Sequence, residues 1–89
     1  MKLCKKENYQ GLCEIFAMAQ RIVDACLETN DEEAWDCAHD LFTQENGIME
    51  AVRECIGFVD YHWYGGENKD FVLCIFNTIK NEFDNVKVY

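Results

Sequence analysis

From Leu12 to Cys26 the apolar residues Leu12, Ile15, Phe16, Ala19, Ile22, Val23 and Cys26 recur every three or four positions, the interval that gathers side chains on one stripe of an α-helix. A helix striped over that length must be covered by the rest of an 89-residue chain, and so short a chain has material for one hydrophobic core. There is no proline to interrupt such a run. The expectation is a single acidic helical domain over residues 1–89, beginning with a helix from about Asn8 to Glu28.

The same periodicity continues. Thr29 is followed three residues on by Glu32 and Asn30 by Glu33, the spacing of a capping box, which predicts a second helix from about Asp31 to Gln44. Its apolar face reads Ala34, Trp35, Cys37, Ala38, Leu41 and Phe42, and Asn46-Gly47 offers residues suited to a left-handed stop. Ile48, Val52, Cys55, Ile56, Val59 and Trp63 predict a long third helix running to Gly65-Gly66. Asn68 is placed to cap a fourth, striped by Val72, Ile75, Phe76, Ile79 and Phe83, and the β-rich tail from Val86 to Tyr89 reads as an extended end. The expected fold is all-α, a compact bundle of about four helices with antiparallel neighbours. The alternative is an α+β chain whose aromatic segments 58–64 and 71–76 form a C-terminal hairpin. Against it, residues 71–76 lack the two-residue alternation of a strand.

Lys2, Lys5 and Lys6 resemble the charged start of a signal peptide, but Glu7, Asn8, Gln10 and Glu14 break the apolar run that must follow. The longest uncharged apolar stretch, residues 71–79, falls far short of the roughly 20 residues that cross a bilayer. The six cysteines stand at 4, 13, 26, 37, 55 and 74, with no CxxC pair, so neither a zinc ribbon nor a redox dithiol is written locally. Free thiols in a reducing cytoplasm are expected, with Cys26, Cys37, Cys55 and Cys74 serving as small buried hydrophobes on the apolar stripes.

Charge is the informative feature. Seventeen acidic residues oppose eight basic ones, for a net charge of −9, which disfavours direct contact with nucleic acid or an anionic membrane. Between Asp24 and Asp60 there are eleven acidic residues and one basic residue, Arg53. Asp31, Glu32, Glu33, Asp36 and Asp40 follow the second helix, and Glu50, Glu54 and Asp60 the third. Like charges four apart destabilise a helix slightly, although Asp31, Glu32 and Glu33 suit the positive end of the helix dipole. These eight residues form a candidate partner-binding face for a basic surface. One acidic residue per turn gives a charge every 6 Å or so, against one per roughly 1.7 Å on duplex DNA, so mimicry of nucleic acid calls for two acidic helices side by side or a dimer.

A second candidate surface is aromatic: Phe58, Tyr61, Trp63 and Tyr64 cluster beside the glycine pair, and such residues anchor interfaces or fill a core or a homodimer contact. Asp36-x-x-His39, with Asp40 adjacent, is half of a carboxylate-bridged metal motif. His62 has Val59 in place of the second acid, so no metal or other cofactor is expected. No catalytic triad pattern, nucleophile elbow or phosphate loop is present, and no enzymatic activity is expected.

In size and charge, over the whole chain, the protein is similar in character to the small acidic inhibitors that phages and mobile elements direct against nucleic-acid-handling defence proteins, among them antirestriction and anti-CRISPR proteins. That likeness implies a non-catalytic binder of a basic protein surface, acting as an inhibitor or nucleic-acid mimic. Two other readings remain open: a metal- or redox-responsive helical module using cysteines with His39 or His62, and a structural homodimer whose acidity serves solubility alone.

Overall fold

The apolar stripe becomes α1 (Lys6–Thr29) in the computed structural model, which describes residues 2–57, 61, 63 and 65–89. Its 24 residues span about 36 Å at the helical rise, close to the 40 Å long dimension of the molecule. Leu12, Ala19, Val23 and Cys26 are buried, while Ile15, Phe16 and Ile22 are half-buried against the same core. Then follow α2 (Glu32–Thr43), α3 (Ile48–Ile56) and α4 (Asn68–Asp84). The described chain is thus all-α in character, as expected. The hairpin is excluded, because residues 71–76 lie inside α4.

Aromatic stacking fixes α4 along α1. Tyr9 stacks on Phe83 at 6.1 Å, Phe16 on Phe83 at 4.7 Å and Phe16 on Phe76 at 5.7 Å, so ascending residues of α1 meet descending residues of α4 and the two helices are antiparallel. The buried residues Val72, Ile75, Phe76 and Ile79 of α4 face Trp35, Ala38 and Phe42 of α2 and Ile48, Val52 and Ile56 of α3 in one core.

The helix ends differ from the expected ones in instructive ways. Thr29 and Asn30 do not cap α2. Thr29 closes α1, its hydroxyl donating to the carbonyls of Ala25 and Cys26, and Asn30 adopts the left-handed conformation at φ 50°. The cap of α2 is Asp31, whose carboxylate accepts from the Glu33 N–H at 3.1 Å. The third helix is short: Gly57 at φ 82° ends it after Ile56, a conformation that lets the chain leave the helix without a side-chain clash. Val59 lies outside the described residues, and Trp63 is not in a helix. Asn68 is the first residue of α4 rather than its cap, which is Glu67.

The tail is paired rather than simply extended. Strand β1 (Leu3–Cys4) lies parallel to β2 (Lys87–Val88), with Leu3 opposite Lys87 and Cys4 opposite Val88. The Lys6 N–H, one of the orphan donors at the start of α1, then donates to the Tyr89 carbonyl at 2.8 Å.

The α2–α3 turn depends on close backbone approach. Asn46 takes the left-handed conformation at φ 62°, and a Cβ on the buried Gly47 would stand 2.6 Å from the Leu41 carbonyl oxygen and 2.8 Å from that of Gln44. Gly47→Ala is therefore expected to destabilise the fold by about 2 kcal/mol, read as a lowered urea midpoint with an unchanged slope, whereas Asn46→Gly leaves the midpoint within about 0.5 kcal/mol.

Candidate binding surface on the acidic helix

The core contact of α2 decides which of its residues meet water. Trp35, Ala38 and Phe42 are buried, and at 100° per residue Asp36 and Asp40 lie about 100° and 140° around the helix from Trp35. Asp31, Glu32, Glu33, Asp36 and Asp40 are all exposed, as are Glu50 and Glu54 on α3. Asp60 lies outside the described residues.

Several of these carboxylates also have structural work. Asp31 caps α2 as described. The Asp36 carboxylate accepts from the Asn68 side-chain amide at 2.7 Å, tying α2 to the start of α4. Glu50 reaches back to the Asn46 N–H at 2.8 Å, and Asp40 lies 3.4 Å from His39 Nδ1. Glu32 and Glu33 stand in the first turn of α2, where the helix dipole favours them.

The acidic residues of α2 and α3 do not share one cleft. Glu32 and Asp36 line an open cleft of about 500 Å³ with Asn30, Trp35, Gly66, Glu67, Asn68 and Lys69. Glu45 and Glu50 line another, of about 520 Å³, with Thr43, Gln44, Met49, Arg53 and Tyr61. Each cleft contains one basic residue. In the first, Lys69 Nζ is 3.5 Å from Asn30 Oδ1 and 5.8 Å above the Trp35 ring, a distance at which an aromatic face attracts a cation.

Of the aromatic candidates, Tyr61 and Trp63 are half-buried, and both meet Phe71 edge-on at 5.9 Å and 5.2 Å. The His39 ring lies 5.0 Å from the same phenylalanine. Phe58 and Tyr64 lie outside the described residues. Phe71, in α4, thus meets His39 of α2 together with Tyr61 and Trp63, a role its place in an apolar run does not signal. Among the described residues no group of three or more His, Cys, Asp or Glu side chains is arranged to hold a metal ion, and His39 rests on Phe71 while Asp36 is committed to Asn68.

The cysteines divide by exposure. Cys4 and Cys26 are buried, Cys13, Cys55 and Cys74 half-buried, and Cys37 exposed, a correction to its expected place in the core. The turn of α2 about its axis is the reason: its buried stripe is Trp35, Ala38 and Phe42, which leaves Cys37 and Leu41 on the wet side. Burial pushes the thiols of Cys4 and Cys26 above the ordinary value of 9.0, with Cys13 and Cys37 respectively adding repulsion. Cys55 is raised by burial first, then by Cys4 and Glu54. A raised value lowers the thiolate fraction, the form that reacts, which runs against these three as redox sensors.

No family model, curated protein or solved structure matches this chain. The described residues contain no helix long and apolar enough to cross a membrane.

Two outcomes follow from the thiols. Under native reducing conditions a maleimide reagent followed by peptide mapping is expected to label Cys37 first, with Cys4 and Cys26 labelled only on unfolding. Because the folded values lie above the unfolded ones, the unfolded chain loses its thiol protons first. The stability this confers is complete below about pH 9 and is lost as pH rises through the folded values. The urea midpoint in reducing buffer should fall in that window, less steeply in Cys4→Ala/Cys26→Ala.

Proposed function

We propose that the protein acts without catalysis, in a cytoplasmic setting, by presenting the acidic residues of α2, with the exposed Glu50 and Glu54 of the neighbouring α3, to a basic surface of a nucleic-acid-handling protein and so competing with nucleic acid for it. The observation that supports this best is that Asp31, Glu32, Glu33, Asp36 and Asp40 all reach solvent from one helix, in a stretch between Arg21 and Arg53 that contains no lysine or arginine. Surfaces shaped only for solubility intersperse the two signs. A field of one sign speeds encounter with an opposite one and excludes like-charged partners.

The structure refines the choice of variant. Asp36 carries the bond to Asn68, so its replacement confounds binding with folding. Asp40 lies in the last turn of α2, where a cation suits the helix dipole, and Asp40→Lys therefore removes acidity without an electrostatic cost to the helix. The tagged protein, incubated with a cell lysate at low ionic strength, is expected to capture nucleic-acid-handling proteins that are released by rising salt and by added duplex DNA. Glu33→Gln/Asp40→Lys should keep its urea midpoint within about 0.5 kcal/mol and lose at least tenfold in capture. A folded double variant that captures the same proteins with the same salt profile, or capture indifferent to DNA, refutes the reading.

A further inference from the structure

The cleft between the start of α2 and residues 66–69 has a composition that narrows what it can hold. Three carboxylates, on Glu32, Asp36 and Glu67, face one ammonium, on Lys69, which disfavours an anion. The chain already places a cation there, Lys69 over the Trp35 ring, and the hydrogen-bond contact of that cation is with the neutral amide oxygen of Asn30 at a long 3.5 Å. Trp35 supplies an independent observation: it lines the cleft and is only 3% exposed, yet its indole Nε1–H has no hydrogen-bond acceptor among the described residues. A buried donor left unpaired bears its full desolvation cost, and a lysine ammonium, which only donates, cannot relieve it.

We infer that this cleft receives an arginine side chain of a protein partner together with a main-chain carbonyl beside it. The inference rests on the reading of α2 as a surface for a basic partner and specifies how that partner is held. The guanidinium displaces Lys69 from the indole face, stacking there as a planar cation, and donates a pair of N–H groups to a carboxylate of the cleft. Asp36 is the best placed of the three, because Asn68 already fixes its orientation. The carbonyl accepts from the Trp35 indole N–H. A simple diamine brings charge without an acceptor and an uncharged peptide brings an acceptor without charge; an arginine-bearing backbone brings both.

The test uses the full-length chain labelled with ¹⁵N, following its two indole N–H resonances, with Trp35→Phe to assign them. The probe is the blocked tripeptide Gly-Arg-Gly, compared with the same peptide carrying neutral citrulline and with agmatine, which lacks the carbonyl. The arginine peptide is expected to shift the Trp35 resonance saturably, and citrulline to weaken binding about tenfold, the loss of one charge-assisted contact. Lys69→Gln, which removes the competing cation, should tighten binding several-fold. The inference is overturned by the absence of a saturable shift in both the wild type and Lys69→Gln, by equal binding of the citrulline peptide, or by agmatine moving the Trp35 resonance as far as the peptide does. If the peptide fails while capture of basic proteins by Glu33 and Asp40 persists, the cleft alone is rejected; if both fail, the acidic-surface reading falls with it.

Discussion

The stack of Phe16 between Phe76 and Phe83 is the contact on which the rest of the molecule is arranged. It holds the longest helix against the last one, 4.7 Å between the rings of Phe16 and Phe83 and within 2° of parallel. Once α1 and α4 are side by side, the apolar stripes of α2 and α3 have one place to go, and the core from Leu12 to Ile79 closes around them. That placement turns Trp35, Ala38 and Phe42 inward and leaves Asp36 at the flank and Asp40 farther round, both in solvent. The acidic surface is therefore a consequence of helix packing, and it cannot be rotated out of view without opening the core.

Much of this arrangement is legible in the sequence alone. The stripes of α1, α3 and α4 contain every buried residue of those helices, because a period near 3.6 over many residues leaves little ambiguity. The end of α3 departs from the expected one, since apolar residues at Val59 and Trp63 prolong the pattern past Gly57. The deciding signal was the glycine, which takes a conformation other residues resist. Cys37 lies outside the core for a related reason: Ala34, Cys37 and Leu41 form as good a stripe as Trp35, Ala38 and Phe42, and only the size of Trp35 and Phe42 favours the second. Pairing of Leu3 with Lys87 has no local signature, as each strand is two residues long and its partner is more than eighty positions away.

The candidate site was half legible. Exposure of the α2 carboxylates follows from their spacing. The sequence does not tell which of the acidic residues also hold the fold together, and three do so in different ways: Asp31 as a cap, Asp36 as a tie to α4, and Glu50 as a clasp on the turn before α3. Acidic surface and helix-end chemistry are here the same residues. The unpaired Trp35 indole and the cation above it join residues more than thirty positions apart, a relation that only packing creates.

The parallel pairing of the two ends of the fold has a mechanical meaning. Tension applied between residues 2 and 89 pulls β1 and β2 in opposite directions along their length, so the bonds from Lys87 N–H to Lys2, from Tyr89 N–H to Cys4 and from Lys6 N–H to Tyr89 share the load together. An antiparallel pair at the same place would open one bond after another, like a zip. The small sheet is thus loaded in shear, and the buried Cys4 within it ties it to the core, so a pulling force meets this pairing before it reaches the acidic helix.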